Sequence, residues 1–227
     1  LIKIKTRPVL FLDFTILKEQ YNFVPTNLLF ASYENFHDSI VTPKRTSMQN
    51  DDPFNEMIGA TGSLRESISK AKAAVLYPPN GLHVLMTGPS GVGKTKFAEF
   101  MHAFASQNLT DRTKVPFVYF NCAEYYNNPE LLTAQLFGYK KGAFTGAVTD
   151  RDGLIKKADG GFLFLDEIHR LTAEGQEKLF TLLDKGTFQK LGSSHEYESA
   201  SIRFIGATTE DLNHEFLRTF LRRIQVV

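Results

Sequence analysis

The chain predicts an α/β fold of the doubly wound class, a parallel central sheet covered by helices, and three observations carry that expectation. Short apolar strands alternate with helical patterns along most of the length. One of them, residues 82–86, runs directly into Gly88-Pro89-Ser90-Gly91-Val92-Gly93-Lys94-Thr95, which fits G-x-x-x-x-G-K-[ST], and Phe97, Met101 and Phe104 follow at helical spacing. Another, Gly161-Phe162-Leu163-Phe164-Leu165, is apolar without alternation, as a strand buried on both faces has to be, and it ends in Asp166-Glu167.

At 227 residues the chain is long enough for one such domain and a short extension, not for two large domains. Lys plus Arg at 26 against Asp plus Glu at 25 leaves a formal charge of +1, and no run of five basic residues occurs, so nothing demands nucleic acid as a direct partner. The single cysteine, Cys122, excludes an internal disulfide framework, fits a reducing compartment, and reads as a small packed hydrophobe. No apolar run approaches membrane-spanning length and the N-terminus lacks signal-peptide layout, so the expectation is a cytoplasmic protein without membrane contact. A start at Leu1 and an end inside an apolar run at Val227 read as an excised piece of a longer chain.

Taken in order, residues 1–40 show no sustained period, and residues 41–53 are polar and punctuated by Pro43 and Pro53, which reads as a linker. Residues 1–53 are thus expected to be an extension of unassigned role, and 54–227 the folded domain. Ser63-Leu64-Arg65-Glu66 has the form of a capping box, and Leu64, Ile68, Ala71 and Val75 continue at helical spacing until Pro78-Pro79. In the phosphate-loop motif, glycines let backbone N–H groups close on phosphates at the positive end of the new helix. Lys94 is expected to reach the β- and γ-phosphates and the Thr95 hydroxyl to hold Mg²⁺. A plain glycine turn is the alternative, and the strand before and helix after argue against it.

Residues 116–120 form a further strand ending at Asn121, which on the residues alone is a strand-end cap. Asn128-Pro129-Glu130 opens a helix through Leu131, Leu132 and Leu136. There follows Gly142-Ala143-Phe144-Thr145-Gly146-Ala147, with no helical or strand period. This is a tight loop with an aromatic ring and a hydroxyl at its tip, and composition alone favours a surface turn whose Phe144 tucks into the core. Carboxylates at the end of strand 161–165 face a ligand crevice. Asp166 is expected to hold Mg²⁺ through water and Glu167 to polarise the attacking water, a hydrolase pair. A helix from about Thr172 ends at Lys185-Gly186, residues 187–201 read as a hairpin, and strand 202–206 delivers Ala207-Thr208-Thr209 to the same crevice. Arg222-Arg223 reads by itself as a solvated helix face.

The loop 142–147, preceded by Leu136-Phe137-Gly138, resembles the signature loop of the bacterial enhancer-binding activators of sigma-54 RNA polymerase. The resemblance covers roughly Pro53 to the end. With the spelling Tyr77-Pro78-Pro79-Asn80-Gly81-Leu82-His83, it is closest to the levanase-operon-regulator branch. It implies the αβα large subdomain of an AAA+ ATPase that hydrolyses ATP with Mg²⁺ in a homo-oligomeric ring, a hexamer. In that family the 142–147 loop contacts sigma-54 and moves with the nucleotide state, and the hairpin is a second insertion that props it. The resemblance further implies that Asn121 contacts Glu167 and reports the γ-phosphate, and that Ile58 lies against the adenine. Thr208 and Thr209 fall at a sensing position, where the family has asparagine in place of Thr209. Arg223 matches the second arginine finger, the first finger falls on Leu217 with Arg218 beside it, and the chain ends before the helical lid and its sensor arginine. DNA is implied only through a domain fused upstream, and sugar-phosphotransferase-responsive domains downstream. Two rival readings are a nucleotide-gated interaction module with little turnover and another AAA+ remodeller, the latter disfavoured by the loop.

Overall fold

The computed structural model describes residues 52–78, 80–109, 115–222 and 224–227. The expected extension therefore lies outside the described residues up to 51, as do Pro79 and Arg223. Strands β1 (His83–Thr87), β2 (Phe117–Asn121), β5 (Phe162–Asp166), β8 (Arg203–Thr208) and β9 (Ile224–Val226) form one sheet in the order β2-β5-β8-β1-β9, and every neighbouring pair is parallel. All five C-terminal ends therefore point to one edge. The register sets Asn121 beside Asp166 and Thr87 beside Thr208 at that edge.

The non-alternating apolar strands have their explanation in two cores. Successive side chains of a strand point to opposite faces. On β5, Leu163 and Leu165 enter one core and Phe162 and Phe164 the other, all four buried. The second core is closed by helices α1 (Arg65–Leu76) and α2 (Lys94–Asn108), whose Phe97, Phe100 and Phe104 surround Phe54. The first is closed by α3 (Pro129–Phe137), α4 (Leu154–Lys157), α5 (Ala173–Lys185) and α7 (Arg218–Leu221), which follows the short α6 (Leu212–Glu215). Helices on both faces of a parallel sheet are the expected class.

Several local signals behave as the residues predict. Asn128 Oδ1 accepts the Leu131 N–H at 3.0 Å, Thr172 Oγ1 accepts the Gly175 N–H at 3.1 Å, and α5 stops at Gly186, φ 67°. The capping box at Ser63 does not form. Helix α1 begins one residue later than that box requires, with Leu64 as N-cap. The turn before it uses Gly59 C=O to hold the Gly62 and Leu64 N–H groups, and Glu66 pairs with Lys70 one turn on at 2.8 Å. Strand β9 and helix α4 have no counterpart in the sequence expectations.

The 142–147 loop leaves the domain on a small platform. β3 (Gly138–Tyr139) pairs antiparallel with β4 (Arg151–Asp152), between α3 and α4. Gly138 has φ 79°, and a Cβ there would lie 2.5 Å from Arg151 O; a Cβ on Gly153 would lie 2.2 Å from Leu136 O. Only glycine permits this backbone crossing. The expected hairpin is β6 (Thr187–Phe188) against β7 (Glu198–Ser199). Lys140 N–H donates to Leu191 O at 2.9 Å and Leu191 N–H to Gly138 O at 3.0 Å, so the hairpin and the loop's base share backbone bonds.

Candidate functional site

The sheet edge gathers the phosphate-loop motif and the carboxylates. Residues 88–93 leave β1 and enter α2 with Gly93 as N-cap at φ 96°, a conformation that side-chain-bearing residues rarely take. Lys94 and Thr95 thus occupy the first turn, where helix N–H groups have no intrahelical acceptor and the dipole is positive. Pro89, Ser90, Gly91, Val92 and Thr95 are exposed, and Gly88 N–H is held by Thr208 O at 3.3 Å, which ties the loop to the end of β8. The Lys94 ammonium donates to Gly88 O at 2.8 Å and Pro89 O at 3.0 Å, folded over the concave side of its own loop.

Beside the loop lies a cavity of about 120 Å³, lined by Met57, Leu64, Met86, Phe97 and Val227 together with Lys94. Its apolar walls next to a phosphate cradle suit a flat heterocycle. Ile58 does not line it. Its side chain is 98% exposed, and the neighbouring Met57 faces the cavity instead. The signal for Met57 and Leu64 was their apolar character in the turn before α1, but which of them faces inward depends on the turn itself.

Asp166 ends β5, and its Oδ1 accepts the Glu167 N–H at 3.0 Å. Glu167 then takes φ 50°, the one non-glycine in the left-handed region among the described residues. Such strain is held in place only by surrounding structure. The Thr209 hydroxyl donates to Glu167 Oε2 at 3.2 Å, a contact the resemblance had given to Asn121. Thr208 was expected to face the crevice beside it, but its side chain is fully buried. Its Oγ1 accepts the Glu210 N–H at 3.0 Å and lies 3.1 Å from His169 Nδ1. Asn121 Oδ1 accepts the Ala123 N–H at 3.0 Å, the strand-end cap of the plain reading. Cys122, behind these carboxylates, is completely buried. Burial first, and then the charges of Asp166 and Glu167, push its thiol up to about 12, which keeps it unreactive.

Of the finger positions, Arg223 lies outside the described residues. Leu217 is half-buried against the first core, while Arg218 and Arg222 are exposed. The segment is anchored by Gln176, a residue the sequence reading passed over. It is buried, its Nε2 donates to Leu171 O at 3.2 Å and Glu215 O at 2.9 Å, and its Oε1 accepts the Leu217 N–H at 3.0 Å.

The 142–147 loop closes on itself through Gly142 N–H to Ala147 O at 2.8 Å and Ala147 N–H to Phe144 O at 3.0 Å. Phe144 is half-buried, edge-on to Tyr139 with ring centroids 4.9 Å apart, and neither ring belongs to a core. Thr145 and Gly146 are exposed, Ala143 is half-buried, and Ala147 is buried. A Cβ on Gly192 of the hairpin would stand 2.8 Å from Ala143 Cβ, so the hairpin turn backs directly onto the loop. Around this contact Lys190 pairs with Asp152 and with Glu198 at 2.9 Å, and Lys140 pairs with Glu196 at 2.9 Å and Asp150 at 3.3 Å. The hydrogen bond from Lys190 holds Asp152 below the usual carboxylate range, and the Lys141 N–H, followed by Lys140, does the same for Asp150.

Comparison with known proteins identifies the family and the fold. The family model described as "Sigma-54 interaction domain" matches residues 57–226. The chain is 52% identical over 225 residues to the transcriptional regulatory protein DagR of Salmonella typhimurium, covering 99% of this chain and 24% of that protein. It is 47% identical over 223 residues to LevR of Bacillus subtilis, covering 98% and 24%. It thus spans about a quarter of the length of these relatives. Among solved structures, NtrX from Brucella abortus in complex with ATP superposes with TM-score 0.61 at 26% identity, over 76% of this chain and 36% of that one. No helix among the described residues is long and apolar enough to cross a membrane. The chain belongs to the sigma-54 interaction domain family, on an AAA+ fold and in the LevR branch of the sigma-54-dependent regulators.

Proposed function

We propose that this domain binds and hydrolyses ATP at the C-terminal edge of its sheet. In the same reading the 142–147 loop contacts sigma-54 and remodels the closed promoter complex to the open one. The observation that carries this is a separation of parts. The phosphate loop, Asp166-Glu167 and Thr209 stand on neighbouring strands of one buried sheet, whereas Phe144 and Thr145 stand outside both cores on a platform of four strand residues.

Each part has a role. The first-turn N–H groups of α2 hold phosphate oxygens, and Lys94 exchanges the Gly88 and Pro89 carbonyls for the β- and γ-phosphates. Glu167, oriented by the Thr209 hydroxyl, takes the proton of the attacking water as general base. Thr95 and Asp166 offer the hard oxygen donors that Mg²⁺ takes. Among the described residues no group of three or more His, Cys, Asp or Glu side chains could hold a metal; Thr95 and Asp166 would hold Mg²⁺ together with phosphate and water oxygens. When bound, Mg²⁺ neutralises charge on the transferred phosphoryl group. The adenine belongs in the cavity at Met57 and Leu64, the active form is a homo-oligomeric ring of hexameric type, and Arg223 is the trans-acting finger. DNA is reached only through a fused domain, and the protein works in the cytoplasm.

The test is Phe144→Ala or Thr145→Ala in the full chain. ATP-dependent open-complex formation is expected to be lost while ATP hydrolysis continues near its normal rate and the melting temperature moves little. A large melting loss with sigma-54 binding retained returns the loop to an ordinary surface turn. A second reading, a nucleotide-gated module with little turnover, is favoured by the half-buried Leu217 at the first finger position. ATPase rate per subunit against protein concentration separates the two: steep growth supports catalysis assembled between subunits, and a flat, low rate supports the module.

A further inference from the structure

The Glu167 carboxylate has a second neighbour, one that carries no role in the reading above. His169 sits two residues on, in the short 3-10 turn Ile168–Arg170, with a side chain only 4% exposed. Its Nδ1 is 3.1 Å from Thr208 Oγ1 and 3.5 Å from Glu167 Oε2, while its buried Nε2 has no hydrogen-bond partner among the described residues. A buried ring nitrogen without a partner is costly, so packing alone does not explain a histidine here.

The tautomer follows from the neighbours. Glu167 Oε2 already accepts the Thr209 hydroxyl, so the histidine nitrogen facing that acceptor is placed as a donor. Nδ1–H then donates to Thr208 Oγ1 and leans on Oε2, which leaves the lone pair of Nε2 as the unpartnered atom. Glu167 has left-handed backbone, so its side-chain direction is not set by a relaxed strand end. It is set from two sides, by Thr209 at the end of β8 and by His169 on the turn that follows β5.

We propose that His169 is a positioning residue for catalysis: its Nδ1–H, backed by the buried Thr208 hydroxyl, holds the Glu167 carboxylate in the direction in which it accepts a proton from water. The inference rests on the reading of Glu167 as the general base.

The experiment is a substitution series in the full chain. An asparagine amide reaches the place of Nδ1, and a glutamine amide the place of Nε2. His169→Ala and His169→Gln are expected to lower kcat about tenfold, the upper range of one neutral hydrogen bond, with KM for ATP and affinity for a non-hydrolysable ATP analogue nearly unchanged. His169→Asn is expected to recover most of that loss. Equal kcat in the Asn and Gln variants, or an Ala variant with unchanged kcat, overturns the proposal. If all three fail to fold, ¹⁵N chemical shifts of the ring in the unsubstituted protein decide, since the proposal requires the proton on Nδ1 and a proton on Nε2 overturns it. Glu167→Gln is run alongside. If that variant keeps its turnover, the reading of Glu167 fails, and the positioning role with it; if turnover is lost and Asn and Gln do not separate, only the positioning role fails.

Discussion

Two regions of this domain are built by opposite means. The sheet edge with the phosphate loop, Asp166 and Glu167 is the end of five parallel strands whose three central members are packed on both faces, with Phe164, Leu163 and Leu165 fully buried. The 142–147 loop stands on a two-residue ladder, and two lysine–carboxylate pairs with exposed acids, Lys140–Glu196 and Lys190–Asp152, join it to the hairpin. Hydrolysis needs reacting groups held to within a fraction of an ångström, and close-packed strands supply that. Under the proposed function the loop needs alternative positions of similar energy, and pairs with exposed carboxylates, each contributing about 0–1 kcal/mol, are consistent with that. The difference teaches that rigidity in this domain is distributed by role.

The sharpest way to break the comparison is to truncate one phenylalanine in each region. Phe164→Ala empties a fully buried site and is expected to lower unfolding stability by about 3–5 kcal/mol. Phe144→Ala removes one edge-on ring contact and is expected to cost about 1 kcal/mol or less. Denaturant unfolding of both variants checks this, and equal losses would erase the distinction between the regions.

Glu167→Gln should leave both regions folded and nucleotide affinity intact while turnover falls about 10²-fold or more, the contribution of a general base. A purified variant that still turns over at the normal rate removes Glu167 from the mechanism.

Lys190→Met tests the ion-pair contact between hairpin and loop. Global stability should fall by about 1 kcal/mol or less, yet hydrogen exchange at residues 138–152 should quicken relative to β5. Uniform change across the domain would mean that Lys190 belongs to the core.

The smallest effect is expected from pH. Asp150 and Asp152 have lowered folded pKa values, so their contribution is present above the ordinary carboxylate value of about 3.9 and is lost as pH falls through the lowered folded values. Lys140 and Lys190 have raised folded values, so theirs is complete below the ordinary lysine value of about 10.4 and is lost as pH rises through the raised ones. Protease sensitivity at the loop should therefore be flat from about pH 5 to 9 and rise below about pH 4, ahead of any change in the core. A rise centred near pH 6.5 would point to histidine instead.

What the sequence could show depended on how far apart the interacting residues lie. The phosphate-loop motif, the Asp166-Glu167 strand end, the Asn128 and Thr172 caps and the Gly186 stop are each written within a few consecutive residues, and the structure keeps those caps and that stop. The failed capping box at Ser63 is also local, but there a preceding turn around Gly59 competes for the same backbone groups. Strand β9 was not legible because Ile224–Val226 has no pattern of its own and becomes a strand only by lying beside His83, Val84 and Leu85.

By itself, then, the sequence determined the fold class, the placing of the phosphate-loop motif and the carboxylate pair at the ends of β1 and β5, and the presence of a loop with Phe144 and Thr145 at its tip, because periodicity and contiguous motifs express bonds between near neighbours. Only the tertiary structure decided that Met57 rather than Ile58 faces the cavity, that Thr209 rather than Thr208 meets Glu167, that His169 stands beside the same carboxylate, and that Gln176 pins Leu217. The bonds that settle two of these, Thr209 to Glu167 and Leu217 to Gln176, join residues 42 and 41 positions apart, and the one that orients the His169 ring ties it to Thr208, 39 positions on. No local pattern encodes such a pairing, because it exists only once the parallel sheet has brought β5, β8 and the chain beyond them to one edge.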